Sequence, residues 1–167
     1  MAVGERPSLS GMEFLGLPFH AIILHAAVVL APLAVLLAFA FALLPTWRYL
    51  TRWPTALMAV VALVTVWLSR LSGHSLLESR PELAPLVREH QDRGDLLSLL
   101  TILFTVVVAV AVWGLGGPSG LASGRGAVAV RSVALERGLS VSVLVTALLV
   151  LVWVFLTGDA GARAVWS

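Results

Sequence analysis

Four long apolar runs limit the folds that this sequence can adopt. They are residues 21–44, 55–71, 96–115 and 139–156. Each is close to the ~20 residues that an α-helix needs to cross the hydrocarbon of a bilayer. With 59% hydrophobic and only 12% charged residues, a soluble domain of 167 residues could not bury so many apolar side chains. The sequence therefore predicts an all-α integral membrane four-helix bundle, made of two helical hairpins in one domain covering residues 1–167.

The connections between the runs predict which groups share a side of the membrane. Four spans put both termini and residues 72–95 on one side, and residues 45–54 and 114–138 on the other. Aromatic residues mark this second side as an interfacial belt: Trp47, Tyr49, Trp53 and Trp113. Arginine is denser in the short connection 45–54 than in the N-terminal tail, which predicts a cytoplasmic second side and external termini.

Two segments need a separate interpretation. The first apolar run is too long for a cleavable signal peptide, and no basic region precedes it. Residues 114–138 are rich in glycine, so the sequence leaves them open between a flexible linker and a short interfacial helix.

The composition disfavours several classes of function. Without cysteine the chain cannot hold an iron–sulfur cluster, a covalently attached c-type haem or a thiolate zinc site. No basic patch with interleaved aromatic residues predicts nucleic-acid binding. The expected membrane midplane carries only hydroxyl groups, which disfavours transport by this chain alone. Because no nucleophile–base pair or paired catalytic carboxylates can be identified, an independent enzyme is the least favoured class.

Polar groups gather at the side opposite the aromatic belt. Counting about 20 helical residues from the belt in each span reaches His25, His74, Gly94 and Asp159. His20 and His90 lie roughly one turn further out. The sequence therefore predicts a cluster of titratable groups at the outer interface, where ligand binding or proton handling could occur.

Each histidine has a structural interpretation beside the functional one. His20 and His25 are separated by about 140° on a helix, so they cannot chelate one ion as an i,i+4 pair would. His25 could instead bond another helix's backbone. His74 could be a helix C-cap, and Asp159 a turn residue that ends the fourth helix among glycines. Pro85 predicts the first turn of the third helix, which carries His90 and Asp95.

Two weaker patterns concern packing and internal repetition. Alanines in the first span form small-xxx-small rows that let a neighbouring helix approach closely: Ala27, Ala31, Ala34, Ala38 and Ala42. The first and third spans follow a histidine-bearing stretch, and the second and fourth leave through Ser72-Gly73 and Thr157-Gly158. Two hairpins related by an axis along the membrane normal would have this pattern.

The histidine motifs resemble those of a bacterial four-span family catalogued as domain of unknown function 2231. His20 and His25, within residues 17–25, match its paired histidines, and Ala21 replaces the usual proline, so the helix is expected to start earlier. Other short matches are Gly73, Glu89-His90 with Gly94, and residues 157–162. The resemblance covers roughly residues 14–166 and implies the four-span fold without an established activity. Some relatives are joined to Rieske-type redox modules, which implies electron transfer.

Three hypotheses for function follow. In the first, His25 and His90 bind haem b, with His20 or His74 as substitutes. In the second, a copper, zinc or iron ion is held by His20, His25 and His90 with a carboxylate, Asp95 or Asp159. In the third, the bundle is a cofactor-free accessory or assembly subunit of a larger membrane complex. Expected partners are the lipid bilayer and other membrane redox proteins, and a homo-oligomer is left open.

Overall fold

The computed structural model describes residues 13–14, 17–115 and 132–166, and four long α-helices dominate them. The helices are α1 (Phe19–Leu43), α2 (Arg48–Ser79), α3 (Ala84–Gly114) and α4 (Val133–Trp166). Before α1, the two-residue strands β1 (Glu13–Phe14) and β2 (Leu17–Pro18) pair antiparallel. Short 3₁₀ turns, Pro45–Trp47 and Pro81–Leu83, join α1 to α2 and α2 to α3. The predicted all-α four-helix bundle is confirmed.

All four helices are long and apolar enough to cross a membrane. The candidate spans are Ile22–Leu43, Pro45–Ser79, Pro81–Gly114 and Val133–Ala164. The chain is therefore a multi-pass membrane protein. The most extensive contacts pair α1 with α2 and α3 with α4, so the bundle consists of two antiparallel hairpins docked side by side.

The core of the bundle lies along the alanine rows of α1. Ala27, Ala31, Ala34 and Ala38 are all buried, and Phe41 and Phe104 are the largest fully buried side chains. Small side chains let helix backbones approach closely, which provides packing contacts where lipid weakens the hydrophobic drive. The predicted role of these alanines at a helix interface is confirmed.

Helices α2 and α3 extend beyond the apolar runs. Most of residues 72–95, predicted as a connection, is helical, because α2 ends at Ser79 and α3 starts at Ala84. His74 lies inside α2, so its predicted role as a C-cap is wrong. The helix ends instead just before Arg80, where the following Pro81 disfavours helical backbone. The prediction that Pro85 lies in the first turn of the third helix is confirmed.

The ends of the other connections also differ from the prediction. Helix α4 continues through Gly158 and Gly161, so the prediction that Asp159 is a turn residue is wrong; Asp159 pairs with Arg163 one turn further on. Pro54, predicted to end a linker, lies inside α2. Residues 116–131 lie outside the described part of the chain, so the choice between linker and interfacial helix stays a prediction there.

Candidate functional site at the histidine end of the bundle

The side chain of His20 joins the first turn of α1 to α2. Its Nδ1 lies 2.8 Å from Ser72 Oγ, and the Ser72 hydroxyl donates to the Ser69 carbonyl at 2.9 Å. Because the hydroxyl proton is already engaged, Ser72 Oγ accepts the bond and His20 Nδ1 donates it. In the neutral ring this leaves the lone pair on His20 Nε2.

His20 is neutral over most of the physiological pH range. Burial lowers its pKa below the ordinary 6.5, the nearby His90 lowers it further, and a hydrogen bond to the Ser69 backbone partly opposes both. The two imidazoles lie on different hairpins at the same end of the bundle.

The side chain of His90 joins α3 to α4 in the same manner. Its Nδ1 lies 2.9 Å from the carbonyl oxygen of Thr157. A carbonyl only accepts, so Nδ1 carries the proton and the neutral ring has its lone pair on Nε2. His20 and His90 therefore share one tautomer, with Nδ1–H bonded to the partner helix of their own hairpin.

Each of these rings also packs against a glycine. A β-carbon at Gly73 would lie 3.4 Å from His20 Cε1, and one at Gly161 would lie 2.9 Å from His90 Nδ1. The missing side chain at Gly161 makes the space that the His90 ring occupies. In each hairpin a histidine near the start of one helix thus packs on a glycine near the end of its partner, although the sequence repeat aligned Gly73 with Gly158 and not with Gly161.

His74 and Asp95 form a separate polar network between α2 and α3. His74 Nε2 lies 3.4 Å from Asp95 Oδ1, and Gln91 Nε2 lies 3.5 Å from His74 Nδ1. Arg70 Nε donates to the same Asp95 oxygen at 2.6 Å. Both ring nitrogens of His74 are therefore engaged, and Asp95 is neutralised by Arg70.

The remaining predicted ligands lie apart from this arrangement. His25 has an exposed side chain that takes part in an interaction of its own, and the half-exposed Asp159 pairs with Arg163. Within residues 13–14, 17–115 and 132–166, no three or more His, Asp or Glu side chains are placed so that they could hold a metal ion. The five predicted metal ligands are thus distributed over separate contacts: His20, His25, His90, Asp95 and Asp159.

The alanine rows contain a signal that would have favoured His20 over His25. His20 lies seven residues, about two turns, before the buried Ala27, so both share the inward face of α1. His25 instead shares its face with Val28 and Val29, whose side chains are exposed. The rotation of the helix therefore turns His20 inward and His25 outward.

Two buried donors without acceptors lie on α4 at and next to the residue that His90 contacts. Thr157 Oγ1 and Trp153 Nε1 have no hydrogen-bond partner in the part of the chain that the structure describes. Trp153 and Thr157 are one turn apart on α4, and the Thr157 carbonyl is the acceptor for His90. A buried unsatisfied donor costs about 1–3 kcal/mol, so this region has unused capacity to bind an oxygen acceptor.

One residue that sequence reasoning missed lies at the opposite end of the bundle. Arg48 is only 3% exposed, forms an ion pair with Glu136 at 2.5 Å and donates from Nε to the Phe41 carbonyl at 3.2 Å. Pro45 has no N–H, so the Phe41 carbonyl lacks its i+4 donor. Arg48 replaces that donor and joins the end of α1 and the start of α2 to the start of α4. The sequence signal for this role is a proline four residues after an apolar helix position, followed closely by an arginine.

Comparisons with known proteins provide no assignment for this site. No protein-family model, curated protein or solved structure matches the chain. The resemblance of the histidine motifs to the family of domain of unknown function 2231 therefore stays a prediction.

Proposed function

We propose that this protein binds haem b or a first-row transition-metal ion through Nε2 of His20 and Nε2 of His90, in a redox-associated role. The observation that carries the proposal is the shared tautomer, in which each ring donates Nδ1–H to an oxygen of its own hairpin. Histidine ligands in metal sites commonly donate their other ring N–H in this way, which fixes the ring and raises its basicity.

Two imidazoles on separate hairpins suit either cofactor chemically. They could hold a haem iron without any cysteine. They also suit a copper, zinc or iron ion whose other positions are filled by water or a further ligand. The unpaired Thr157 hydroxyl and Trp153 indole N–H could donate to a haem carboxylate or to another oxygen ligand.

The location of the site follows from the predicted membrane orientation. With the arginine-bearing connection between α1 and α2 in the cytoplasm, the histidine end and both termini would face the outer side of a bacterial inner membrane. A metal centre there would exchange electrons with other membrane redox proteins. Fusing a reporter enzyme that is active on only one side of the membrane to the C-terminus tests this orientation.

The decisive experiment is an absorption spectrum of the detergent-purified protein, oxidised and dithionite-reduced, with metal analysis of the same sample. The cells must be supplied with haem and transition metals. A Soret band that shifts on reduction, or stoichiometric metal without such a band, would support the proposal. His20→Ala and His90→Ala should each remove the signal.

Two further variants serve as controls. His74→Ala should keep the signal, because both nitrogens of His74 are engaged elsewhere. His25→Ala tests the pair His25 and His90 that the sequence favoured. A featureless spectrum and no metal in fully supplied protein would overturn the proposal.

A cofactor-free accessory subunit is the second candidate. It is favoured by the fact that the bonds from His20 to Ser72 and from His90 to Thr157 already join the helices of each hairpin. In that case His20→Ala and His90→Ala would lower thermal stability in detergent, and a purified sample would show neither a Soret band nor bound metal.

A further inference from the structure

Among the residues that the structure describes, Arg52 has no carboxylate partner, and it lies at the aromatic belt, at the opposite end of the bundle from the histidines. Its guanidinium carbon lies 5.1 Å from the Trp53 ring centroid and 5.9 Å from that of Trp113. The two rings meet edge to face with centroids 6.1 Å apart. Arg52 Nε is buried without an acceptor among the described residues, whereas Arg48, one turn earlier on α2, is paired with Glu136.

An apolar groove starts beside the same aromatic pair. It is a shallow, open depression in the surface of α2, because all of its lining residues lie on that one helix. Its lining residues are Trp53, Pro54, Ala56, Leu57, Met58 and Val60. Leu57 is 64% exposed, so this side of α2 faces the lipid and not the bundle core. The groove therefore runs from the level of the Trp53 ring towards the hydrocarbon.

Pro54 leaves one backbone carbonyl of α2 without its helical hydrogen-bond donor. Because proline has no N–H, the carbonyl of Leu50, four residues earlier, loses its i+4 donor within α2. Leu50 has an exposed side chain. The interface thus presents a cation and a freed carbonyl above an apolar groove.

We propose that Arg52, Trp53, Trp113 and this groove bind one anionic phospholipid. The phosphate pairs with the Arg52 guanidinium, whose planar set of donors suits phosphate oxygens, and one acyl chain lies along the groove. Tryptophan rings mark the headgroup level of a membrane protein, and basic pockets between spans bind acidic headgroups. A hydroxyl of the headgroup, as in phosphatidylglycerol, suits the freed Leu50 carbonyl.

Native mass spectrometry of the full-length protein in detergent tests this proposal. The protein is titrated with phosphatidylglycerol or with phosphatidylcholine of the same acyl chains, and the dissociation constant of the first bound lipid is compared. The wild type should bind phosphatidylglycerol more tightly, and salt should weaken this preference. R52Q should reduce the affinity for phosphatidylglycerol about fivefold, and R52K should retain part of the preference.

A matched variant controls for net charge. R80Q removes the same charge from an exposed position at the histidine end and should leave phosphatidylglycerol binding unchanged. V60W, which narrows the groove, should weaken the binding of both lipids. Equal losses in R52Q and R80Q, or no lipid preference in the wild type, would overturn the proposal. The lipid preference of the wild type and its salt dependence are measured without any variant, so they test the proposal even if R52Q is unstable.

Discussion

The imidazole of His90 on α3 lies so close to Gly161 on α4 that a β-carbon at Gly161 would be 2.9 Å from Nδ1 and 3.1 Å from Cε1. The ring cannot move away freely, because Nδ1 is bonded to the Thr157 carbonyl. The glycine is thus required by the position of the histidine, although a glycine inside a helix is intrinsically unfavourable.

Gly161→Ala should therefore destabilise the protein. Overpacking of this kind costs about 1–3 kcal/mol, which outweighs the gain of about 1 kcal/mol from the better helix propensity of alanine. The measurement is the free energy of unfolding in detergent, together with the cofactor signal if one is found.

Gly158→Ala provides the matched control on the same helix. A β-carbon there would meet nothing within 4 Å, so this change should be neutral or should stabilise α4 by up to about 1 kcal/mol. Equal effects of the two substitutions would contradict the assigned role of Gly161.

Arg48→Met should be strongly destabilising. It leaves Glu136 without its cation and the Phe41 carbonyl without its donor, and breaking a buried ion pair typically costs about 3–5 kcal/mol. Glu136→Gln should also destabilise the protein, because it leaves the charge of Arg48, whose side chain is only 4% exposed, without its anion. Thermal unfolding in detergent should show a loss in both variants.

Stability of the cofactor-free protein should fall in mild acid because of His20. Its pKa in the folded state is lowered below 6.5 by burial and by His90, so the unfolded chain binds the proton more readily. The contribution of His20 is therefore fully present above pH 6.5 and is lost as the pH falls through the lowered folded value. Unfolding curves at several pH values should show this loss, and His20→Gln should reduce it.

Thr157→Val should separate stability from ligand binding. The Thr157 hydroxyl is buried without a partner in the described structure, so replacing it with a methyl group should leave the cofactor-free protein equally stable or more stable. If the hydroxyl serves a bound cofactor, the same change should weaken binding.

Thr55→Val is the control for this substitution. The Thr55 hydroxyl donates to the Leu37 carbonyl of α1 at 3.1 Å, so its loss should cost about 1 kcal/mol. Destabilisation by Thr157→Val as large as that by Thr55→Val would show that the Thr157 hydroxyl has a structural role.

Hydropathy predicted the number of helices, because lipid requires long apolar helices, and the spacing of small residues predicted the alanine face of α1, because close packing requires small residues. It did not predict where α2 and α4 end. Hydropathy marks the hydrocarbon boundary, and a polar stretch such as 72–79 can continue the helix into the headgroup region. A local pattern of proline and arginine indicates the bond from Arg48 to the Phe41 carbonyl, but no local pattern reveals its ion pair with Glu136, which is far away in the sequence.

The sequence predicted how deep in the membrane the histidines lie, but it did not predict which way their side chains point around the helix axis. Counting residues from the belt locates a side chain to about one turn along the axis, and it contains no information on helix rotation. For that reason the sequence favoured His25 as the partner of His90, whereas the structure leaves His25 exposed and turns the partly buried His20 towards Ser72 of α2. The alanine rows indicate the rotation of α1, because His20 shares their inward face and His25 does not.

The division of the bundle into two hairpins has a consequence for assembly. Each hairpin carries one imidazole already oriented by its own serine or carbonyl oxygen, so each is a preformed half of the proposed centre. Neither hairpin alone would bind the haem or metal ion tightly, and high affinity for it would arise only when the two hairpins pack together. A chain severed in the turn Pro81–Leu83 would then yield two fragments whose reassociation the cofactor itself would drive and report.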